Sequence, residues 1–260
     1  MSQRAARLGS LIRAETLYIR RLPVPLLIYM ALPFLLMAFL SDAMKLFFSN
    51  IGYFNTTGAE FVVPAQAILF GYMFTEHIGL WVFAEHNWKT WDRVRATPAT
   101  TAEVLGAKGL LWGGYLAAQY VVLFVGGSLV LGMNLTGSIP ALILLAAVNL
   151  VATMAFGFCG MVVCPSQATF DAWTYGGALL VAALGGAITP GELLPGWAES
   201  ASPASPAYWA VKGARSVILD RGGFDDVAVP CLVLLAFAVA FAAIGAWRFD
   251  PARAKIGRSK

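Results

Sequence analysis

The chain has 260 residues, 59% of them apolar and 12% charged, with a formal net charge of +4 and a mean hydropathy of +0.71. A water-soluble domain of this length carries about a quarter charged residues, so an ordinary soluble fold is excluded and lipid is the expected solvent. The basic balance follows from membrane topology, as set out below, and assigns no nucleic-acid partner.

A spanning helix needs about 20 mostly apolar residues, and six runs qualify: 22–41, 62–84, 106–131, 139–163, 171–190 and 227–248. The expected fold is therefore an all-α membrane protein with six transmembrane helices over 22–248, preceded by a basic arm (1–21) and followed by a basic tail (249–260). In the arm, Leu8, Leu11, Ile12 and Ile19 share one helical face and Arg13 and Arg20 the other. That pattern fits an amphipathic helix in the cytoplasmic interface, or equally an ordinary basic flank. The first run holds Pro23, Pro25 and Pro33, and Asp42 and Lys45 follow it. The long arm and the lack of a small-x-small cleavage site make it a retained span rather than a signal peptide.

In the second run Gln66, Met73 and His77 fall within a narrow helical arc, with Glu76 beside them. Charged groups inside a span usually face a protein interior or a water-filled cavity. Either Glu76 and His77 lie on a substrate or proton path, or they sit near the cytoplasmic end, satisfied by a neighbouring helix. A charged, helix-compatible segment follows at 84–98. It carries Glu85, His86, Trp88, Lys89, Thr90, Trp91, Asp92, Arg93 and Arg95, and stops at Thr97-Pro98. Trp88 and Trp91, three apart, either anchor a partner protein or belt the membrane surface.

The third run places Gly106, Gly109, Gly113, Gly114, Ala117 and Ala118 close together. Small residues of this kind let helices approach closely, against another span or a second subunit. The fourth and fifth runs meet in a tight turn over 164–171, where Asp171 is placed to cap the fifth helix. Cys159, Cys164 and Cys231 have neither metal nor redox spacing and read as packing residues. In the outer segment 191–226, Leu194-Pro195-Gly196-Trp197 precedes Ser205-Pro206. Ser205 suits an N-cap and Pro206 a first helical position, predicting a helix to about Asp220, stopped by Gly222-Gly223. Trp197, Tyr208 and Trp209 suit the headgroup level.

Orientation follows from the cations, because Lys and Arg concentrate on the cytoplasmic side. Fourteen of the 18 lie in the arm, the 85–108 connection and the tail; the other four are Lys45, Lys212, Arg215 and Arg221. With six spans both termini are then cytoplasmic. No GxxxxGK[ST], HExxH or GxSxG pattern is present, and His77 and His86 lack metal partners. The chain is expected to be no enzyme by itself, to hold no metal and to have no catalytic residues.

The order Glu85, Thr90, Arg93, Pro98 after the second span, the Pro-Trp turn and Pro-started helix after the fifth, the basic N-terminal arm and the six spans together resemble the permeases of ABC-2 type transporters. The resemblance covers nearly the whole chain. It implies a permease subunit that pairs with a second permease, identical or homologous, and with two copies of an ABC ATPase subunit that binds ATP and Mg and hydrolyses the ATP. It implies a coupling helix at Glu85, Trp88, Lys89, Thr90, Trp91, Asp92, Arg93 and Arg95, seated on that ATPase. It also implies a substrate path touching Gln66, Met73, Glu76 and His77, and an outer gate helix with Trp197, Tyr208, Trp209 and Arg215. The expected cargo is an amphipathic small molecule, drug, antibiotic or lipid-like compound. The Ala- and Gly-rich composition suggests a bacterial source and hence the cytoplasmic membrane. Two alternatives stand beside it: a secondary transporter coupled to protons through Glu76 or His77, and a membrane scaffold that transports nothing.

Overall fold

The computed structural model describes residues 23–88 and 100–249, together with Gly9, Ile12, Arg13 and Thr16 of the arm. Those four arm positions are helical, and Thr16 Oγ1 donates to Ile12 O at 2.8 Å. The rest of the 1–21 arm, for which an amphipathic helix is expected, and nearly all of the 249–260 tail lie outside the described residues.

Among the described residues every regular element is helical. α1 runs Pro23–Asn50, α2 Ala59–Phe74, α3 Glu76–Asn87, α4 Thr101–Val130 and α5 Ile139–Val163. α6 (Gln167–Asp171) leads through a π-helical turn (Ala172–Gly177) into α7 (Ala178–Leu184). α8 (Gly196–Ala201), α9 (Pro206–Ile218) and α10 (Phe224–Arg248) complete the chain.

Five helical stretches are long and apolar enough to cross a membrane: Leu27–Asn50, Ala59–Asn87, Glu103–Val130, Ile139–Val163 and Phe224–Arg248. The predicted fifth span, 171–190, takes a different form. Its helix begins earlier, at Gln167, passes through the π turn, and ends at Leu184 rather than Pro190. The cap also differs from the expected one. Ser166 accepts from Thr169 N and Thr169 Oγ1 in turn accepts from Ser166 N, so this reciprocal box starts the helix and Asp171 lies inside it. The first span continues to Asn50, which puts Asp42 and Lys45 within α1 instead of after it.

α2 is the centre of the bundle, with every residue but Met73 buried. α1 and α4 pack on one side of it, and α5, α7 and α9 on others, while α10 lies along α5. Close approach depends on missing side chains at a few positions. A Cβ on Gly157 would meet Thr75 Cβ at 2.6 Å, and one on Gly185 would meet Tyr208 N at 2.6 Å. In the third span, Gly106, Gly109 and Gly114 have nothing within 4 Å of a built Cβ, whereas a Cβ on Gly126 or Gly127, near the other end of the same helix, would clash with Phe34 or Val63. Small-residue packing inside the subunit is thus made by the fourth and fifth runs and by Gly126 and Gly127 of the third, not by its first glycines.

Candidate functional site

The run Ala59–Asn87 is helical throughout except at one residue, Thr75. There the backbone tightens: Thr75 N bonds Tyr72 O at 3.2 Å and Ile78 N bonds Thr75 O at 3.0 Å, both spanning three residues. Thr75 Oγ1 also donates to Tyr72 O at 2.6 Å. Such tightening in mid-helix often marks a hinge or local strain. Glu76 is the next residue, close to the midpoint of the run, roughly 16 Å along the axis from Asn87 at 1.5 Å per residue. It is therefore near the middle of the run, within the expected hydrocarbon depth, rather than at its end.

The second backbone irregularity, the π turn Ala172–Gly177, carries Tyr175, and the two irregular sites meet. Tyr175 Oη donates to Glu76 Oε2, Tyr29 Oη donates to the same oxygen at 3.5 Å, and the two phenol oxygens are 3.2 Å apart. Glu76 thus gathers side chains from α1, the α2–α3 junction and the π turn. Tyr29 is itself positioned by α4. Pro33 has no N–H, so the carbonyl of Tyr29 loses its helical partner, and Gln119 Nε2 donates to it at 3.0 Å.

His77 lies apart from the carboxylate, with no hydrogen bond between the two among the described residues. Its ring stacks on Phe74 (centroids 4.9 Å, 20°), meets Tyr29 edge-on (4.9 Å, 83°) and tilts against Trp112 (5.3 Å, 45°). Nδ1 is 3.3 Å from Phe74 O. His77 therefore forms part of an aromatic wall rather than a dyad with Glu76. Met73 is partly buried against the core. Gln66 lies ten residues before Glu76, buried, with no partner for its Oε1 among the described residues. A second buried polar pair, Asn149 Nδ2 to Tyr120 Oη at 2.8 Å, borders a cavity of about 20 Å³, room for one water.

On the predicted coupling segment, the described residues are Glu85, His86 and Trp88. Trp88 is exposed, which both the partner-anchor and the membrane-belt readings require. Glu85 points inward: its Oε1 is 2.8 Å from Nζ of Lys108, whose side chain is 4% exposed. Lys108, counted above with the cytoplasmic connection, is a buried residue of α4 that ties the third span to the foot of the second. His86 Nδ1 lies 2.7 Å from Val82 O. Lys89, Thr90, Trp91, Asp92, Arg93 and Arg95 lie outside the described residues.

The predicted outer helix forms, as α9. Ser205 precedes its first residue, Pro206, but does not cap it; its Oγ donates to Val181 O at 2.6 Å and pins the helix to α7. α9 ends at Ile218, two residues short of Asp220. Tyr208 and Trp209 meet edge-on at 5.3 Å with Lys212 over both rings, while Trp197 is exposed. Arg215 pairs with Glu192 and lies over the rings of Phe48 and Tyr53, and Tyr53 Oη donates to Asp220 Oδ1 at 2.7 Å. Burial opposes the charge of Arg215, but its bonds to Glu192 and Tyr53 outweigh that and hold the guanidinium above its ordinary value. Glu60 adds a further tie, accepting from Thr57 N at 3.0 Å and Asn134 N at 3.1 Å. The loops at this end are thus bonded to one another and to α9.

No protein-family model matches the chain, and a search of curated proteins finds no match. Among the described residues no group of His, Cys, Asp and Glu is placed to hold a metal ion. Tyr29, Tyr175 and Gln119 were not singled out from the sequence. Their signal was weak, a polar atom within an apolar run, and the residues that meet are up to 146 positions apart.

Proposed function

We propose that the chain is the permease subunit of an ABC-2 type exporter, one of two permeases served by two ATPase subunits that hold ATP and Mg. The stretch Gln167–Leu184 completes a sixth span in this reading. Its 18 residues from Gln167 to Leu184 reach roughly 27 Å at 1.5 Å per residue, close to the thickness of the hydrocarbon layer. Both termini and the 84–98 segment then face the cytoplasm of a bacterial cell, and α8 and α9 lie at the outer side. The cargo is an amphipathic compound, and the chain performs no chemistry on it.

One observation carries this reading: the two mid-membrane breaks in helical regularity, at Thr75 and at Ala172–Gly177, meet around a carboxylate. Irregular backbone at membrane depth is tolerated where it is buried in protein or lines a cavity, and discontinuous helices are where transport proteins build their sites. A scaffold would need no carboxylate there. The coupling segment follows α3 directly in sequence, so a push on it reaches Thr75 and Glu76 through that helix.

The test is affinity purification of the tagged chain expressed with its neighbouring genes, followed by an ATPase assay. A nucleotide-hydrolysing subunit should co-purify and be lost on combining Trp88→Ala with Arg93→Glu. Purification without such a subunit, with transport instead abolished by collapsing the proton gradient, would replace the proposal with proton coupling at Glu76.

A further inference from the structure

The two phenols that bind Glu76 share one of its oxygens, Oε2, and no hydrogen bond from a described residue reaches Oε1. The ion pairs found among the described residues, Lys108–Glu85 and Arg215–Glu192, lie elsewhere, so no cation of a described residue pairs with this carboxylate. Glu76 is only partly buried and Tyr175 is 37% exposed, so the cluster opens at the surface of the subunit. A carboxylate that opens at a bundle surface within the hydrocarbon depth is strongly unfavourable against lipid tails. It requires a positive charge or water on its open side.

The surroundings select among such occupants. Tyr29 is braced by edge contacts to Phe74 (5.6 Å, 87°) and His77 (4.9 Å, 83°) and by Gln119 behind its carbonyl. Tyr175 stands on the π turn opposite. Phenol rings attract cations through their quadrupole, Phe74, His77 and Trp112 form an aromatic wall behind Tyr29, and Asp171 adds a second acidic group within electrostatic reach of Tyr175. An anion would meet repulsion from Glu76, and a sugar would find too few polar partners. A cation with an apolar body satisfies both the carboxylate and the rings.

Resting on the transport reading above, we infer that Glu76, Tyr29 and Tyr175 form a subsite for a lipophilic organic cation, which makes the cargo a positively charged amphipath. The full-length chain, with any co-purifying subunit, is reconstituted in lipid nanodiscs. Binding is then measured with radiolabelled tetraphenylphosphonium and with tetraphenylborate, an anion of the same shape. Saturable phosphonium binding is expected, weakened about tenfold or more by Glu76→Gln, the equivalent of about 1.4 kcal/mol, and less by Glu76→Asp. Tyr175→Leu, at a partly exposed position that tolerates change, should weaken it about fivefold and serves if Glu76→Gln fails to fold. Borate binding should be the same in all variants. Phosphonium binding that is unchanged in both Glu76→Gln and Tyr175→Leu would overturn the inference, as would Glu76-dependent binding of borate. Failures of the two proposals separate, since cation binding needs no ATPase. Glu76-dependent binding without an ATPase partner removes the exporter and leaves the subsite; a coupled ATPase without Glu76-dependent binding does the reverse.

Discussion

Tyr53 joins three parts of one end of the bundle: it lies in the loop after α1, donates to Asp220 at 2.7 Å and sits beneath the Arg215 guanidinium. The bond to Asp220, with burial, raises its phenol above the ordinary value of 10.0, against the opposing pull of Arg215. Protonated phenol is the form that donates. A folded value above the unfolded one means that the contact stabilises the fold fully below pH about 10. That stabilisation is lost as pH rises through the folded value. Ultraviolet titration of wild type against Tyr53→Phe should show one tyrosine ionising late, and Asp220→Ala should bring it back toward the ordinary value. A Tyr53 that titrates normally in wild type would mean the tie is not formed in solution. At the same scale, Pro33 and Gln119 illustrate a different logic: a proline removes a donor, and a side chain from another helix supplies it.

Helices here are shaped as much by where they lack side chains as by what they carry. Gly157 admits the Thr75 turn at a distance where any Cβ would clash, whereas Gly106 faces open space. Gly157→Ala should therefore lower stability by about 1–3 kcal/mol through overpacking. Gly106→Ala should be neutral or slightly favourable, since alanine is the better helix former. Thermal unfolding of the two variants in detergent checks the contrast, and equal Tm values would argue that Thr75 and α5 are not in contact. Because the Thr75 turn abuts Glu76, Gly157→Ala is also expected to weaken function, whereas Gly106→Ala is not.

At the scale of the whole molecule the open question is the sixth crossing, since five stretches meet the length and apolarity of a span and the 167–184 stretch is interrupted. The three native cysteines are buried, so single cysteines introduced at Asn55, Glu199 and Ser166 can be read against a low background with a membrane-impermeant maleimide. Labelling of whole cells is expected at Asn55 and Glu199 and only after permeabilisation at Ser166. Labelling of Ser166 in intact cells would show that the stretch after it does not cross in the proposed direction.

Hydropathy and charge were sufficient to reveal apolar helices, a charged segment after the second run and a Pro-started helix near the end, because each rests on local chain chemistry. Four of the six expected runs appear with shifted ends, and the fourth keeps its bounds of 139–163; helix limits are set by caps and loops that hydropathy does not see. Glu76 was legible as an unusual residue because a carboxylate in an apolar run is costly wherever it lies. Its partners were not legible, since Tyr29 and Tyr175 are ordinary in their own runs and acquire meaning only where α1, the Thr75 turn and the π turn converge. For the same reason only the tertiary structure separated His77 from Glu76, turned Glu85 toward Lys108, and bound Arg215 to Glu192. Local sequence dictates which segments leave water, but which polar atoms then find one another depends on how those segments pack.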